Sequence, residues 1–313
     1  FCLMNNKLLV LGTIAYDGIE APLGKRDKIL GGCATYIGLS ASLFENDCGI
    51  ISIVGSDFKK EDFKIIKDKG LDCSGVEVLE NSKTFFWRGR YDKKFNSRTT
   101  LETKLNVLEQ FKPIVPNKYR DSDILVLGNL DPNIQLNVLN QMSSRPKLII
   151  LDTMNYWIER YEEQLEELIK KSDIISINDD EARQITNEYS LLKAAKKISN
   201  LGPKYIIIKK GEHGAMLYNE GKIFIIPAIP FEKVYDPTGA GDSFIGAIAG
   251  YLSQTKSISF KNLKSAIAYG VVVSSFTVQS FGTENLVKLN YKELSIRMEE
   301  LKNISEFQVK HNF

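Results

Sequence analysis

Histidine is nearly missing from this 313-residue sequence, where His213 and His311 are the only two. That excludes His-rich zinc sites and leaves little room for Ser-His-Asp chemistry. Cysteine is scarce as well. Cys2, Cys33, Cys48 and Cys73 stand far apart with no C-x-x-C, which argues for reduced thiols of an intracellular protein, against a disulfide framework or a metal site. No apolar run approaches the ~20 residues that span a bilayer. The N-terminus lacks the basic region, apolar stretch and cleavage site of a secretory signal, and Phe1-Cys2-Leu3 ahead of Met4 reads as an expression remnant or a variant start. Neither sign of charge dominates, with 41 Lys and Arg against 39 Asp and Glu. Nothing global therefore steers the chain to nucleic acid or an anionic membrane. The expectation is a cytoplasmic protein that works on small molecules.

What is present is core-forming material, 43% of the chain being hydrophobic. Short apolar runs recur at Leu8–Leu11, Ile50–Val54, Ile124–Leu127, Leu148–Leu151, Ile174–Ile177 and Tyr205–Ile208. They do not alternate, so they fit parallel strands buried on both faces. Between them, Ala34–Phe44, Asp57–Lys69, Ile134–Met142, Ile158–Lys171 and Leu191–Leu201 carry helical spacing. The repeated strand–helix order predicts a doubly wound, mostly parallel α/β sheet flanked by helices, in a single domain over residues 1–313. The last third, from Gly241 to Leu301, reads as mainly helical. Two segments, about 16–30 and 84–105, break the rhythm. The second alternates Phe85, Trp87 and Tyr91 with Phe86, Arg88 and Arg90, the period of half-exposed strands. The pair is expected to form a small sheet, read as a β-lid over a substrate pocket because mobile covers exclude water from reaction sites.

The run Asp236-Pro-Thr-Gly-Ala-Gly-Asp242 leads into Ser243–Leu252, which has the spacing of a buried helix. Gly239, Ala240 and Gly241 therefore fall at a helix N-terminus, where free amides and the positive end of the dipole converge. Glycines let that backbone approach a phosphate closely, and a transferring phosphoryl group needs such aimed donors. Asp242 stands where a carboxylate reaches the attacking hydroxyl. A tight turn capped by Asp242 is the plain alternative. The P-loop pattern G-x-x-x-x-G-K-[ST] is absent, and the dinucleotide fingerprint fails because Phe244 takes its third glycine position.

The segment from Asp236 to Phe244 resembles the C-terminal signature of the PfkB, or ribokinase-like, family of carbohydrate and nucleoside kinases. Further landmarks follow in family order over essentially the whole chain. Gly12-Thr-Ile-Ala-Tyr-Asp17 is similar to the first strand and its sugar-binding aspartate, and Gly31-Gly32 to the N-terminal di-glycine. Asn178-Asp-Asp-Glu181 is similar to the N-x-x-E motif, and Lys209-Lys-Gly211-Glu-His-Gly214 to the nucleotide loop. The resemblance implies Asp242 as general base and Gly239, Ala240 and Gly241 as the anion hole. It implies Asp17, Gly31, Gly32 and Asp131 on the acceptor, with Lys209, Gly211, Gly214 and Thr238 on ATP. Asn178 and Glu181 would organise the water around a Mg²⁺ held by ATP phosphates, although Glu181 also suits a first-turn helix carboxylate. Asp236, beside Thr238, resembles a position for a monovalent cation such as K⁺. Two departures bear on the acceptor. Tyr36 stands where many relatives carry a sugar-binding Asn, and Tyr156 and Trp157 stand where relatives show a simpler run; rim or core packing is the plainer reading of those two aromatics.

The function expected is transfer of the γ-phosphoryl group of ATP to a hydroxymethyl group of a sugar or sugar-like acceptor. A nucleoside kinase is the alternative within the family, since Phe85, Phe86 and Trp87 could stack on a base. A non-catalytic sugar sensor and an NAD-linked oxidoreductase rank below it, the former because a sensor needs no Asp242. A homodimer through the exposed lid edge is the expected self-association, with no nucleic-acid or membrane partner.

Overall fold

The computed structural model describes residues 7–44, 47–93, 95 and 97–306; Phe1–Leu3, with Cys2, and His311 lie outside them. Thirteen strands form in the described residues. They are β1 (Lys7–Leu11), β2 (Ala15–Ala21), β3 (Gly24–Gly31), β4 (Asp47–Gly55), β5 (Asp72–Leu79), β6 (Phe86–Tyr91), β7 (Arg98–Lys104), β8 (Ile124–Leu127), β9 (Leu148–Leu151), β10 (Ile174–Asn178), β11 (Tyr205–Lys209), β12 (Ala215–Asn219) and β13 (Lys222–Ile226). The helices are α1 (Cys33–Ala41), α2 (Lys60–Asp68), α3 (Pro132–Asn140), α4 (Asn155–Arg160), α5 (Glu162–Lys171), α6 (Asp179–Thr186), α7 (Leu191–Leu201), α8 (Ala240–Thr255), α9 (Phe260–Thr277), α10 (Glu284–Lys288) and α11 (Tyr291–Ser305).

Nine strands make one sheet in the order β13-β12-β11-β10-β9-β8-β1-β4-β5. Its pairs are parallel except β11–β12 and β12–β13. Side chains alternate between two apolar layers. Leu8 and Val10 of β1 pack with Ile37 of α1, Ile248 of α8 and Ile267 of α9. Leu9 and Leu11 pack with Val138 of α3, Leu168 of α5 and Ile198 of α7. Both faces are covered, which is why these strands carry uninterrupted apolar runs. The α/β class expected from the sequence is the class observed.

One local expectation is corrected. The helix expected over Ile158–Lys171 is broken: α4 ends at Arg160, and Tyr161 takes φ −131° and ψ 44° before α5 begins. The Tyr161 ring meets Trp157 edge-on at 5.2 Å. Beyond the last of the apolar runs, Tyr205–Ile208, the sheet continues in the antiparallel pair β12–β13.

The remaining strands form a separate four-stranded sheet in the order β3-β2-β6-β7. β2 leaves the main sheet three residues after β1, so this second sheet hangs from the carboxyl ends of the parallel strands. The N-terminus of α8 is brought to those same ends by close helix packing. A Cβ on Gly246 would lie 2.2 Å from the Ile37 carbonyl oxygen of α1, so only glycine permits this approach.

Candidate active site

Helix α8 begins at Gly239, whose φ of 76° is left-handed, and no side chain caps it. Ala240 N turns back to donate to Pro237 O at 3.2 Å, leaving the following amides of Gly241 and Asp242 pointing from the positive end of the helix. The turn ahead of it is pinned by Asp236, fully buried. Its Oδ1 accepts from Thr238 N at 2.9 Å and its Oδ2 from Gly282 N at 3.1 Å. Thr238 Oγ1 meets Tyr91 Oη of β6 at 2.8 Å, so one hydrogen bond joins the second sheet to the glycine turn.

Opposite this helix start lie the carboxyl ends of β9, β10 and β11. Lys209 ends β11, and its Nζ pairs with Asp152 Oδ1 at 3.1 Å, with both side chains largely buried. Asn178 ends β10 and pairs in register with Lys209. Asn178 Oδ1 accepts from Glu181 N at 2.7 Å, while Glu181 Oε2 accepts from Asn178 N at 2.8 Å. This capping box of α6 occupies one oxygen of Glu181 and leaves the other. Beyond β11 the chain turns through Gly211 (φ 53°) and Gly214 (φ 83°), and a Cβ on Gly211 would meet nothing within 4 Å. That surface is open to a ligand.

Asp17 of β2 reaches the site from the second sheet and is buried. A Cβ on Gly31 would lie 2.0 Å from Asp17 Oδ2, and the Gly32 amide donates to the same carboxylate. Gly31→Ala is therefore expected to displace Asp17. Acceptor KM should rise about 10-fold or more while ATP KM stays within about 2-fold. Steady-state kinetics varying each substrate in turn would check it, and an unmoved acceptor KM would remove Asp17 from that role.

The electrostatics are those of a crowded acidic pocket. Burial, reinforced by Asp236, pushes Asp17 up to about 7, with the Gly32 amide opposing. Burial pushes Glu181 up to about 7 against the pull of Lys209. Burial and the charge of Asp152 push Asp242 up to about 7, while Lys209 and Arg98 pull it back. Burial alone would lower Lys209, but the carboxylates of Asp152, Glu181 and Asp242 outweigh it and hold the ammonium above its ordinary value. Asp242 itself accepts no hydrogen bond from another described side chain, so its oxygens face the pocket.

Of the residues singled out in the sequence, Asp17, Gly31, Gly32, Asn178, Glu181, Lys209, Gly211, Gly214, Asp236, Thr238 and Asp242 converge here with the 239–241 turn. Asp131 does not join them through its contacts. It caps α3, accepting from Asn133 N at 2.8 Å and Nδ2 at 3.0 Å. Tyr156 and Trp157 pack together edge-on, and Trp157 Nε1 donates to Asn129 Oδ1 at 2.8 Å. Sequence reasoning missed Asp152, Tyr91 and Arg98. The one available signal was position: Asp152 directly follows the apolar run Leu148–Leu151, at the strand end where α/β sites form.

The donor set fits a magnesium–nucleotide complex. Free helix-start amides, a buried ammonium and an open glycine loop suit phosphates. Among the described residues no group of three or more His, Cys, Asp or Glu is placed to hold a metal, so a Mg²⁺ here would be held through phosphates and water.

Comparison with known proteins agrees with this geometry. The pfkB family carbohydrate kinase pattern matches residues 7–289. The cytidine kinase of Thermococcus kodakarensis is 30% identical, over 78% of this chain and 88% of its own. The solved nucleoside kinase of Burkholderia thailandensis in complex with inosine superposes with TM-score 0.76 at 20% identity, covering 95% of this chain and 99% of its own. A putative ribokinase II of E. coli, solved with ATP and Mg²⁺, gives TM-score 0.78 at 18% identity, over 94% and 99%. The chain belongs to the pfkB family of carbohydrate kinases and is an ATP-dependent kinase with an alcohol group as acceptor.

Proposed function

We propose that this kinase passes the γ-phosphoryl group of ATP to a hydroxymethyl group of a sugar or nucleoside, with Asp242 as general base and the 239–241 turn as anion hole. The observation that carries the assignment is the placement of Asp242: a carboxylate with no hydrogen bond from another described side chain, raised to about 7, in the first turn of a helix whose start no side chain caps. A carboxylate there takes the proton of an incoming hydroxyl, while the amides of Gly241 and Asp242 face the oxygens of the phosphoryl group. Lys209, Gly211 and Gly214 face the donor side, and Asn178 and Glu181 present their remaining polar atoms to water around Mg²⁺. Thr238 lies beside the nucleotide phosphates, its hydroxyl braced by Tyr91. Asp17, Gly31 and Gly32 face the acceptor, whose hydroxyls a carboxylate binds by accepting hydrogen bonds; Asp131, engaged in capping α3, is set aside from that side. The sheet of β2, β3, β6 and β7 acts as the lid.

The acceptor side has one unusual feature. Tyr36 is 1% exposed, and its hydroxyl has no hydrogen-bond partner among the described residues. A buried donor without a partner is costly, and an acceptor hydroxyl would satisfy it. A nucleoside acceptor is the second reading, favoured by the 30% identity to a cytidine kinase. ATP consumption with Mg²⁺ across a panel of pentoses, hexoses and nucleosides tests both. Turnover of at least one acceptor is expected, and silence across the panel would overturn the assignment. Asp236 has spare lone pairs for a monovalent cation, so K⁺ should raise activity over choline at equal ionic strength. The exposed edges β3 and β7 of the lid supply a dimer contact, which sedimentation would detect.

A further inference from the structure

The Asp152–Lys209 pair has the form of a temporary arrangement. Asp152 is 6% exposed, and no hydrogen bond to its carboxylate other than the one from Lys209 Nζ at 3.1 Å comes from a described side chain. The ammonium does not point away from the phosphate seat. A Cβ placed on Gly241 would lie 3.3 Å from Lys209 Nζ, so the cation hovers over the first turn of α8, where the anion hole forms. The charges of Asp152, just past β9, of Glu181 in α6 and of Asp242 in α8 all act on it. An ammonium in a largely buried pocket needs a counter-charge at all times. A phosphate bound at the helix start would enter within reach of the same three donor hydrogens.

We propose that Lys209 is shared between two partners, Asp152 in the empty site and the terminal phosphate of the donor in the filled one, so that Asp152 is a positioning residue that holds the ammonium ready and then yields it. This rests on the kinase assignment above and adds the exchange. The seat over Gly241 belongs to the phosphate being transferred, so Lys209 distinguishes a triphosphate from a diphosphate. Asp152 opposes triphosphate binding slightly, because its pair must open and its own charge then faces the incoming anion. The two substitutions thus act in opposite directions.

The test is calorimetric binding of ADP and of a non-hydrolysable ATP analogue, each with Mg²⁺, to the wild type, Asp152→Asn and Lys209→Met. Lys209→Met should weaken the analogue about 10-fold or more and leave ADP within about 2-fold. Asp152→Asn should tighten the analogue by about 3- to 10-fold, again without moving ADP. A purely structural role for the pair would shift both nucleotides together and in the same direction for both variants. Should Lys209→Met fold poorly around an uncompensated Asp152, the double variant removes both charges and restores the fold, and it should bind the analogue more weakly than Asp152→Asn alone. Equal effects on ADP and the analogue, or weaker analogue binding by Asp152→Asn, overturn the exchange. A wild type that binds neither nucleotide overturns the kinase assignment and the exchange with it.

Discussion

Asp242→Asn is expected to lower turnover by at least ~10²-fold while fold and nucleotide binding persist. Asparagine keeps the size of the side chain and removes its ability to take a proton. The wild-type base works only when ionised, and its affinity for the proton is raised to about 7, first by burial and then by the charge of Asp152. Accordingly kcat/KM for the acceptor should climb as pH rises through about 7 and level off above it. The variant should lose the part of that limb that belongs to Asp242, while Asp17, also raised to about 7, keeps a shallower one. Stability moves the other way. A carboxylate whose folded value is raised binds its proton more tightly folded than unfolded. Its stabilising contribution is fully present below about pH 4 and lost as pH rises through about 7. The ligand-free wild type therefore carries a buried charge at about pH 8 that the variant lacks. There Asp242→Asn should gain stability on the order of 3 kcal/mol, and less toward about pH 5. Denaturant titrations at the two pH values would show it. A variant that turns over normally, or is destabilised most at high pH, would remove Asp242 from the role of buried base.

The second large effect belongs to Gly239→Ala. Gly239 has φ 76°, and an added Cβ would sit 2.5 Å from three ring carbons of Tyr36. The left-handed backbone costs alanine about 1–2 kcal/mol, and forcing an atom into a packed neighbour adds about 1–3 kcal/mol. Tyr36 cannot yield easily, being 1% exposed in the layer between α1 and α8. The turn must shift instead, carrying the amides of Gly241 and Asp242 with it. A loss of about 2–4 kcal/mol in stability and about 10²-fold in kcat is expected. Because the clash is with the ring and spares the hydroxyl, adding Tyr36→Phe should give no relief. Adding Tyr36→Ala should make the combined loss smaller than the sum of the single losses. Strict additivity would mean that the ring does not oppose position 239.

The layered sheet was legible because its strands are buried on both faces and so appear as unbroken apolar runs. Ile124–Leu127 and Leu148–Leu151 end where the runs end. The antiparallel edge was harder. Lys222–Ile226 alternates burial as an outer strand does, and a five-residue alternation is a weak signal. The break at Tyr161 was invisible to periodicity, since apolar spacing continues across it. In the site, the glycine turn announced itself through residue types that only a special backbone requires. Asp152 did not. An aspartate after a strand looks the same whether it faces solvent or a buried lysine, and the lysine lies 57 positions away. Tyr91 and Thr238 are separated by 147 positions, a distance at which local pattern carries no information.

That last contact links timing to geometry. Thr238 belongs to the turn that presents the phosphate-binding amides, and Tyr91 belongs to the sheet above it. If the sheet acts as the proposed lid, its opening also removes a strut from the turn. Under that reading water would enter at the same moment that the amides lose their support, and a nucleotide bound without an acceptor would meet solvent in front of a slackened cradle. The coupling predicts little wasteful ATP hydrolysis in the absence of acceptor, and Tyr91→Phe, which cuts the strut but keeps the ring, should raise that background relative to productive transfer.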